Sequence, residues 1–244
     1  SINGHDASGG RGHNNYRDIL MYVLAPSGSV RKGPHHLNIR NMGFGAAGGE
    51  CLRLRYFVSS VNITGNTFRD CGVYAYRLNE GGKNGEAIYI GTADNQRGDN
   101  ASSKFGWTSD IDRTNRILVH GNNIITNGNE CVDIKRGAHY VTVQHNQCSG
   151  QRDTESGGVS INGYHNTVRN NTLFNNRGVG IRMGDTSSYN SAYHNVLRNN
   201  LHGGFKFKSR THTTICGNNL NQQQNPHTRG TYGSQFANQV SRPC

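Results

Sequence analysis

Several ingredients of an ordinary globular domain are scarce in this chain of 244 residues. Apolar residues make up 32% of it, against about 45–50% in a typical domain, so a wide core of several layers is excluded. No apolar run approaches the roughly 18 residues that span a bilayer, which excludes a transmembrane helix. A hydrophobic period of 3.6 residues is missing almost everywhere, so helices do not build the fold. None of the six cysteines stands in a C-x-x-C pair, which argues against a zinc site. There is no block of consecutive Lys or Arg, no basic helix and no RRM or KH signature, so neither nucleic acid nor a membrane is the expected partner. Trp107 is the single tryptophan. A start at Ser1 rather than Met is what a processed chain shows.

What fills the deficit is Gly, 33 residues of it, together with Asn, and a regular scatter of Ile, Val, Leu and Phe too frequent for a disordered tract. Lys and Arg number 26 against 15 Asp and Glu, giving +11, a balance that favours a polyanionic partner such as an acidic polysaccharide. Six cysteines without metal spacing point to disulfides in an oxidising compartment, hence to a secreted, extracellular protein. Sequence neighbours are expected to pair: Cys51 with Cys71, Cys131 with Cys148 and Cys216 with Cys244.

An internal repeat decides the fold class. Ser60-Val-Asn-Ile-Thr-Gly-Asn66-Thr-Phe68 is echoed around Asn122, Asn146, Asn171, Asn195 and Asn218, about 24 residues apart from Asn122 onward. A second block accompanies each copy, as in Gly85-Glu-Ala-Ile-Tyr-Ile-Gly91 and Asn129-Glu-Cys-Val-Asp-Ile-Lys135. Both blocks alternate apolar and polar residues, the signature of short strands. Stacked coils of such strands make a single-domain, all-β, right-handed parallel β-helix over residues 1–244. The coils are expected over 34–221, with a cap over 1–33, a tail over 222–244 and loop insertions near 72–84 and 92–114. The aligned asparagines should form a ladder at one corner, adopting left-handed backbone and bonding amide to amide between coils. A β-propeller is the competitor, but its blades need about 40 residues and antiparallel strands.

In the second block Leu52, Ile88, Val132, Val159, Ile181 and Phe205 should form one core column, and Leu54, Ile90, Ile134, Ile161, Met183 and Phe207 the next. Period-two geometry then turns Arg53, Tyr89, Asp133, Ser160, Arg182 and Lys206 outward in one row, beside Arg55, Gly91, Lys135, Asn162, Gly184 and Lys208 in another. That reads as a basic strip along one face, with Asp133 and Lys135 near its middle. Glu50, Glu86 and Glu130 stack just ahead of the strands, and in-register carboxylates repel unless a cation or a shared proton lies between them. Glu86, Glu130 and Asp133 are therefore the candidate ligands of a hard cation, Ca²⁺. The histidines beside the ladder, His120, His145, His165 and His194, read as turn packing.

The coil repeat with its Asn ladder, and the blocks Gly85–Gly91 and Glu130-Cys-Val-Asp-Ile-Lys-Arg-Gly137, resemble the pectate-lyase superfamily from about His36 to Leu220. The resemblance implies a monomeric lyase that cleaves uronic-acid polymers such as pectate or alginate by β-elimination. Carried onto this chain, it makes Lys135 the base, with Arg182 and Arg136 as catalytic cations and Ca²⁺ at Glu86, Glu130 and Asp133. Arg53, Arg55, Tyr89, Lys206, Lys208 and Trp107 become substrate-binding residues. The Asp-Pro-His-Asp motif of alginate epimerases is absent. Two other readings stand beside it: a glycoside hydrolase using the acids as acid and base, and a non-catalytic polyanion-binding solenoid, since fold alone does not deliver function.

Overall fold

The protein is described here by a computed structural model covering residues 1–5, 16–25, 32–76, 84–97, 110–224 and 226–244. Alternation drives its local structure: each short strand turns one set of side chains inward and the other out. With too few apolar residues to cover two faces, the strands wrap around one narrow core. The result is a right-handed parallel β-helix with three parallel sheets of eight, seven and seven strands.

Sheet 1 comprises Met21–Leu24, Leu52–Arg55, Ile88–Ile90, Val132–Ile134, Gly157–Ile161, Val179–Met183, Phe205–Phe207 and Thr228–Arg229. Sheet 2 runs His35–Arg40, Ser59–Thr64, Asn115–His120, Thr142–Gln144, Thr167–Arg169, Asn190–Tyr193 and His212–Cys216. Sheet 3 runs Ile2–Asn3, Gly43–Ala47, Thr67–Cys71, Asn123–Ile125, Gln147–Ser149, Thr172–Phe174 and Val196–Arg198. The chain passes from sheet 1 to sheet 2 to sheet 3 in every coil. Ile2–Asn3 and Met21–Leu24 are already parallel members of the sheets, pairing with Gly43–Ala47 and Leu52–Arg55.

The sheet 1 register aligns Leu52, Ile88, Val132, Val159, Ile181 and Phe205, with Leu54 through Met183 and Phe207 as the second column. Both columns are buried. Sheet 3 contributes Phe44, Phe68, Ile124, Cys148, Leu173 and Leu197, all buried, with the Phe44 and Phe68 rings stacked at 4.8 Å. All six cysteines pair as expected, Cys51–Cys71, Cys131–Cys148 and Cys216–Cys244.

The expected ladder runs Asn66, Asn122, Asn146, Asn171, Asn195, Asn218, each amide donating to the next Oδ1 at 2.9–3.0 Å. One detail differs. The left-handed residue is the one before each ladder asparagine, namely Gly65, Gly121, His145, Asn170, His194 and Gly217. The turn needs φ > 0 there, while the following Asn must aim its amide along the stack. Two further ladders hold the other corners, Asn166 with Asn190 and Asn176 with Asn200 and Gln223. At the C-terminal end, Thr228–Arg229 extends sheet 1, and the short helix Gly233–Phe236 lays Phe236 on Phe207 at 4.2 Å. Asn218 donates to the Val240 carbonyl, so the tail takes the place of another coil.

Candidate functional site

The outward rows of sheet 1 have the expected register, and in mid-sheet they form the floor of a cleft. Tyr89, Asp133, Ser160 and Arg182 lie side by side on four consecutive strands. The loop around Asp94–Gln96 and the segment Asp153–Ser156 wall the cleft, which encloses about 340 Å³ and is lined by Glu86, Tyr89, Gln96, Glu130, Asp133, Lys135, Ser156, Asn162 and Arg182 among others.

Its centre is acidic. Glu86, Glu130 and Asp133 are buried, and one carboxylate oxygen from each lies within 4.8 Å of the others. The cause is the stacking of coils: Ala87 donates its N–H to the Glu130 carbonyl, setting the two glutamates one above the other. Lys135 reaches back to Asp133 in a direct ion pair and lies 3.8 Å from Glu86. Its ammonium also sits 4.5 Å from the centre of the Tyr89 ring. Ser156 donates to Glu130, while Glu130 Oε2 and Asp133 Oδ1 are buried with no hydrogen-bond partner among the described residues. Glu50, third in the glutamate stack, is taken up by Arg53.

Burial raises the pKa of Glu86, against the pull of Lys135, and raises that of Glu130 with the help of Asp133. Burial alone would lower Lys135; Asp133, with Tyr89, Glu86 and Glu130, outweighs it and holds the ammonium well above the ordinary lysine value. A lysine acting as a base among neighbouring cations would be held low instead, so the surroundings of Lys135 differ from those its expected role calls for. Its neighbours are carboxylates, because the side chain folds inward over its own strand instead of along the row.

The basic strip is likewise not free. Lys206 is buried against Glu155, with Nζ donating to its carboxylate at 2.8 Å and its carbonyl at 2.9 Å. Lys208 pairs with Asp185 at 3.0 Å, and Arg182 lies 3.8 Å from the same carboxylate. Arg136 points to the rim and pairs with Asp94 at 2.9 Å. Arg53 packs between the Tyr22 and Tyr89 rings. Arg55, expected on the surface, is buried and donates to Tyr22, Thr92 and the Gln96 carbonyl, because the loop after Gly91 folds over it. Trp107 lies outside the described residues.

Of the expected site residues, then, Glu86, Tyr89, Glu130, Asp133, Lys135 and Arg182 meet in the cleft. Three others join them without having been singled out. Gln96 accepts from the Tyr89 hydroxyl at 2.9 Å, Ser156 braces Glu130, and Asn162 lies 3.5 Å from an Arg182 guanidinium nitrogen. Asn162 fits only because residue 184 is Gly: a Cβ there would stand 1.9 Å from its Oδ1. The insertion at 92–114 was a signal for Gln96; uncharged Ser156 carried none.

A disulfide-bonded right-handed parallel β-helix with a polar cleft on sheet 1 is the class of protein these features define. Within that class the chain belongs to the NosD family, whose model, described as periplasmic copper-binding protein (NosD), matches residues 64–240. No curated protein matches the chain. The family's periplasmic description and the three disulfides fit an oxidising compartment outside the cytoplasm. Among the described residues no helix is long and apolar enough to cross a membrane.

Proposed function

We propose that the cleft binds an acidic, uronic-acid-containing polysaccharide and cleaves it by β-elimination, as the resemblance to pectate lyases suggests, with Ca²⁺ held by Glu86, Glu130 and Asp133. The observation that carries this reading is the meeting of one lysine, one arginine and a buried carboxylate triad with two unpartnered oxygens in one cleft. The donors are all hard carboxylate oxygens, which suit Ca²⁺. They do not suit copper, which prefers thiolate, thioether or imidazole. All six cysteines are in disulfides, and among the described residues lining the cleft there is no His or Met, so these residues offer the copper of the family's description no thiolate, thioether or imidazole.

Bound Ca²⁺ would supply the positive charge that neutralises the substrate carboxylate and acidifies the neighbouring C5 proton. Arg182, steadied by Asn162, holds that carboxylate from the other side. Lys135 in its neutral form takes the C5 proton; the electron pair forms the C4–C5 double bond, and the C4–O bond breaks, its oxygen taking a proton from water. The triad cannot serve Lys135 and a cation together, so a cation in the cleft deprives Lys135 of its carboxylate partners.

The test is incubation with pectate, alginate and glucuronan, with Ca²⁺ or EDTA, following the ultraviolet absorbance of new unsaturated uronate ends. A Ca²⁺-dependent rise that Lys135→Ala abolishes while polymer binding persists supports the reading. A second reading, a glycoside hydrolase, is favoured by the spacing of the acids, within 4.8 Å and close to the roughly 5–5.5 Å of retaining enzymes. It requires new reducing ends without absorbance. Neither signal on any polymer leaves a non-catalytic binding protein.

A further inference from the structure

The ion pairs of Glu50, Glu86, Asp94, Asp133, Glu155 and Asp185 lie on sheet 1 or in the loops above it. The cleft face is therefore largely neutralised by its own ion pairs, while the chain as a whole carries +11. A groove runs along the corner where sheet 3 turns into sheet 1.

The corner repeats with the coils. Arg152 donates its N–H to the Gly128 carbonyl, Arg177 to that of Gln151 and Leu201 to that of Asn176, which places these three residues on successive coils, about 4.8 Å apart. Arg152 and Arg177 are both exposed, and neither meets a carboxylate among the described residues. Arg152 donates to the Tyr76 carbonyl at 3.2 Å, which fixes its direction. Arg198, in the last strand before the same corner, packs on the Phe174 ring at 4.7 Å. Between them lies a shallow groove of about 390 Å³ bearing Asn127, Asn175 and Asn199 beside the two arginines and the exposed Leu201.

Like charges in register on neighbouring strands destabilise unless an anion lies between them. Guanidinium groups are suited to carboxylates, which they bind bidentately. Two guanidinium groups on successive coils match two neighbouring carboxylates of a linear polymer, whereas a flat anionic bilayer fits a concave groove poorly. We propose that this corner is a second binding site for acidic polysaccharide, separate from the cleft and independent of whether the cleft is catalytic.

The experiment is binding of the full chain to polygalacturonate and alginate by affinity electrophoresis and calorimetry. Wild type is compared with Arg152→Ala/Arg177→Ala, each also in a Lys135→Ala/Arg182→Ala background that removes both cations lining the cleft, and thermal unfolding checks that every variant is folded. The double variant should bind about tenfold more weakly at low salt, with a shallower salt dependence, in both backgrounds. Arg152→Lys/Arg177→Lys should recover only part of the loss, since an ammonium cannot pair bidentately. Unchanged affinity in the double alanine variant overturns the proposal. So does wild-type binding to phosphatidylglycerol vesicles but not to either polymer, or binding to neither. A chain inactive on every polymer that still shows the loss of binding in both backgrounds refutes the lyase reading and leaves the corner site standing.

Discussion

At the residue scale the cleft is a set of charges whose partners decide what each one can do. Glu130 is buried beside Glu86 and Asp133 with one oxygen unpartnered, so Glu130→Gln removes a repulsion and a cation ligand together. Ca²⁺ at a hundred times its dissociation constant should stabilise the wild type by about 2.7 kcal/mol. Glu130→Gln should unfold at an equal or higher temperature without Ca²⁺ and lose most of the Ca²⁺-induced rise, as calorimetry would read. His212 offers an independent pH test. It packs against Phe207 and Phe236, and burial lowers its pKa to about 4. The unfolded chain then binds the proton more readily, so this contribution is present above about pH 6.5 and is lost as pH falls through about 4. The difference in melting temperature between wild type and His212→Gln should shrink over that window; a difference constant with pH would show that His212 does not titrate in it.

At the scale of elements, the ladders do for the corners what the apolar columns do for the sheets. Asn171 donates to Val143 and Arg169 carbonyls and to Asn195 Oδ1, and accepts from Asn146. Asn171→Ala strands several buried polar groups at once and should cost about 3 kcal/mol in urea unfolding, whereas Asn123→Ala, on the solvent side of its strand, should cost within about 0.5 kcal/mol. Much of this scale was legible beforehand: the inward columns, the outward rows and one ladder follow from periodicity, and the three disulfides match the pairing of sequence neighbours. The ladders of Asn166 and Asn176 were not read, although Asn175-Asn176 and Asn199-Asn200 carry the same period. The state of the cations was illegible for a different reason. Asp94, Glu155 and Asp185, which hold Arg136, Lys206, Lys208 and the flank of Arg182, sit in loops and turns outside the strand blocks, so no alignment of strands brings them to their partners.

At the scale of the whole molecule, a thin core shared by stacked coils depends on closure as much as on burial. Removing Cys131–Cys148 by a double Ala substitution releases a loop with a sequence separation of 17 and should cost about 3 kcal/mol in the loop-entropy account. The last feature to weigh is the tail that lays Phe236 on Phe207 and the Val240 carbonyl on Asn218. Beneath it lie Phe205–Phe207, His212–Cys216 and Val196–Arg198, the last strands of the three sheets proper. Stripped of residues 226–244, each would present a bare edge of N–H and C=O groups around an open apolar cross-section. Such a surface behaves like the growing face of a crystal: it accepts any chain that offers a matching strand edge. A tail that covers this end should keep the chain from adding to itself, and the truncated protein should self-associate, visible as a rise in light scattering over that of the full-length chain; equal scattering would show that the tail has no such effect.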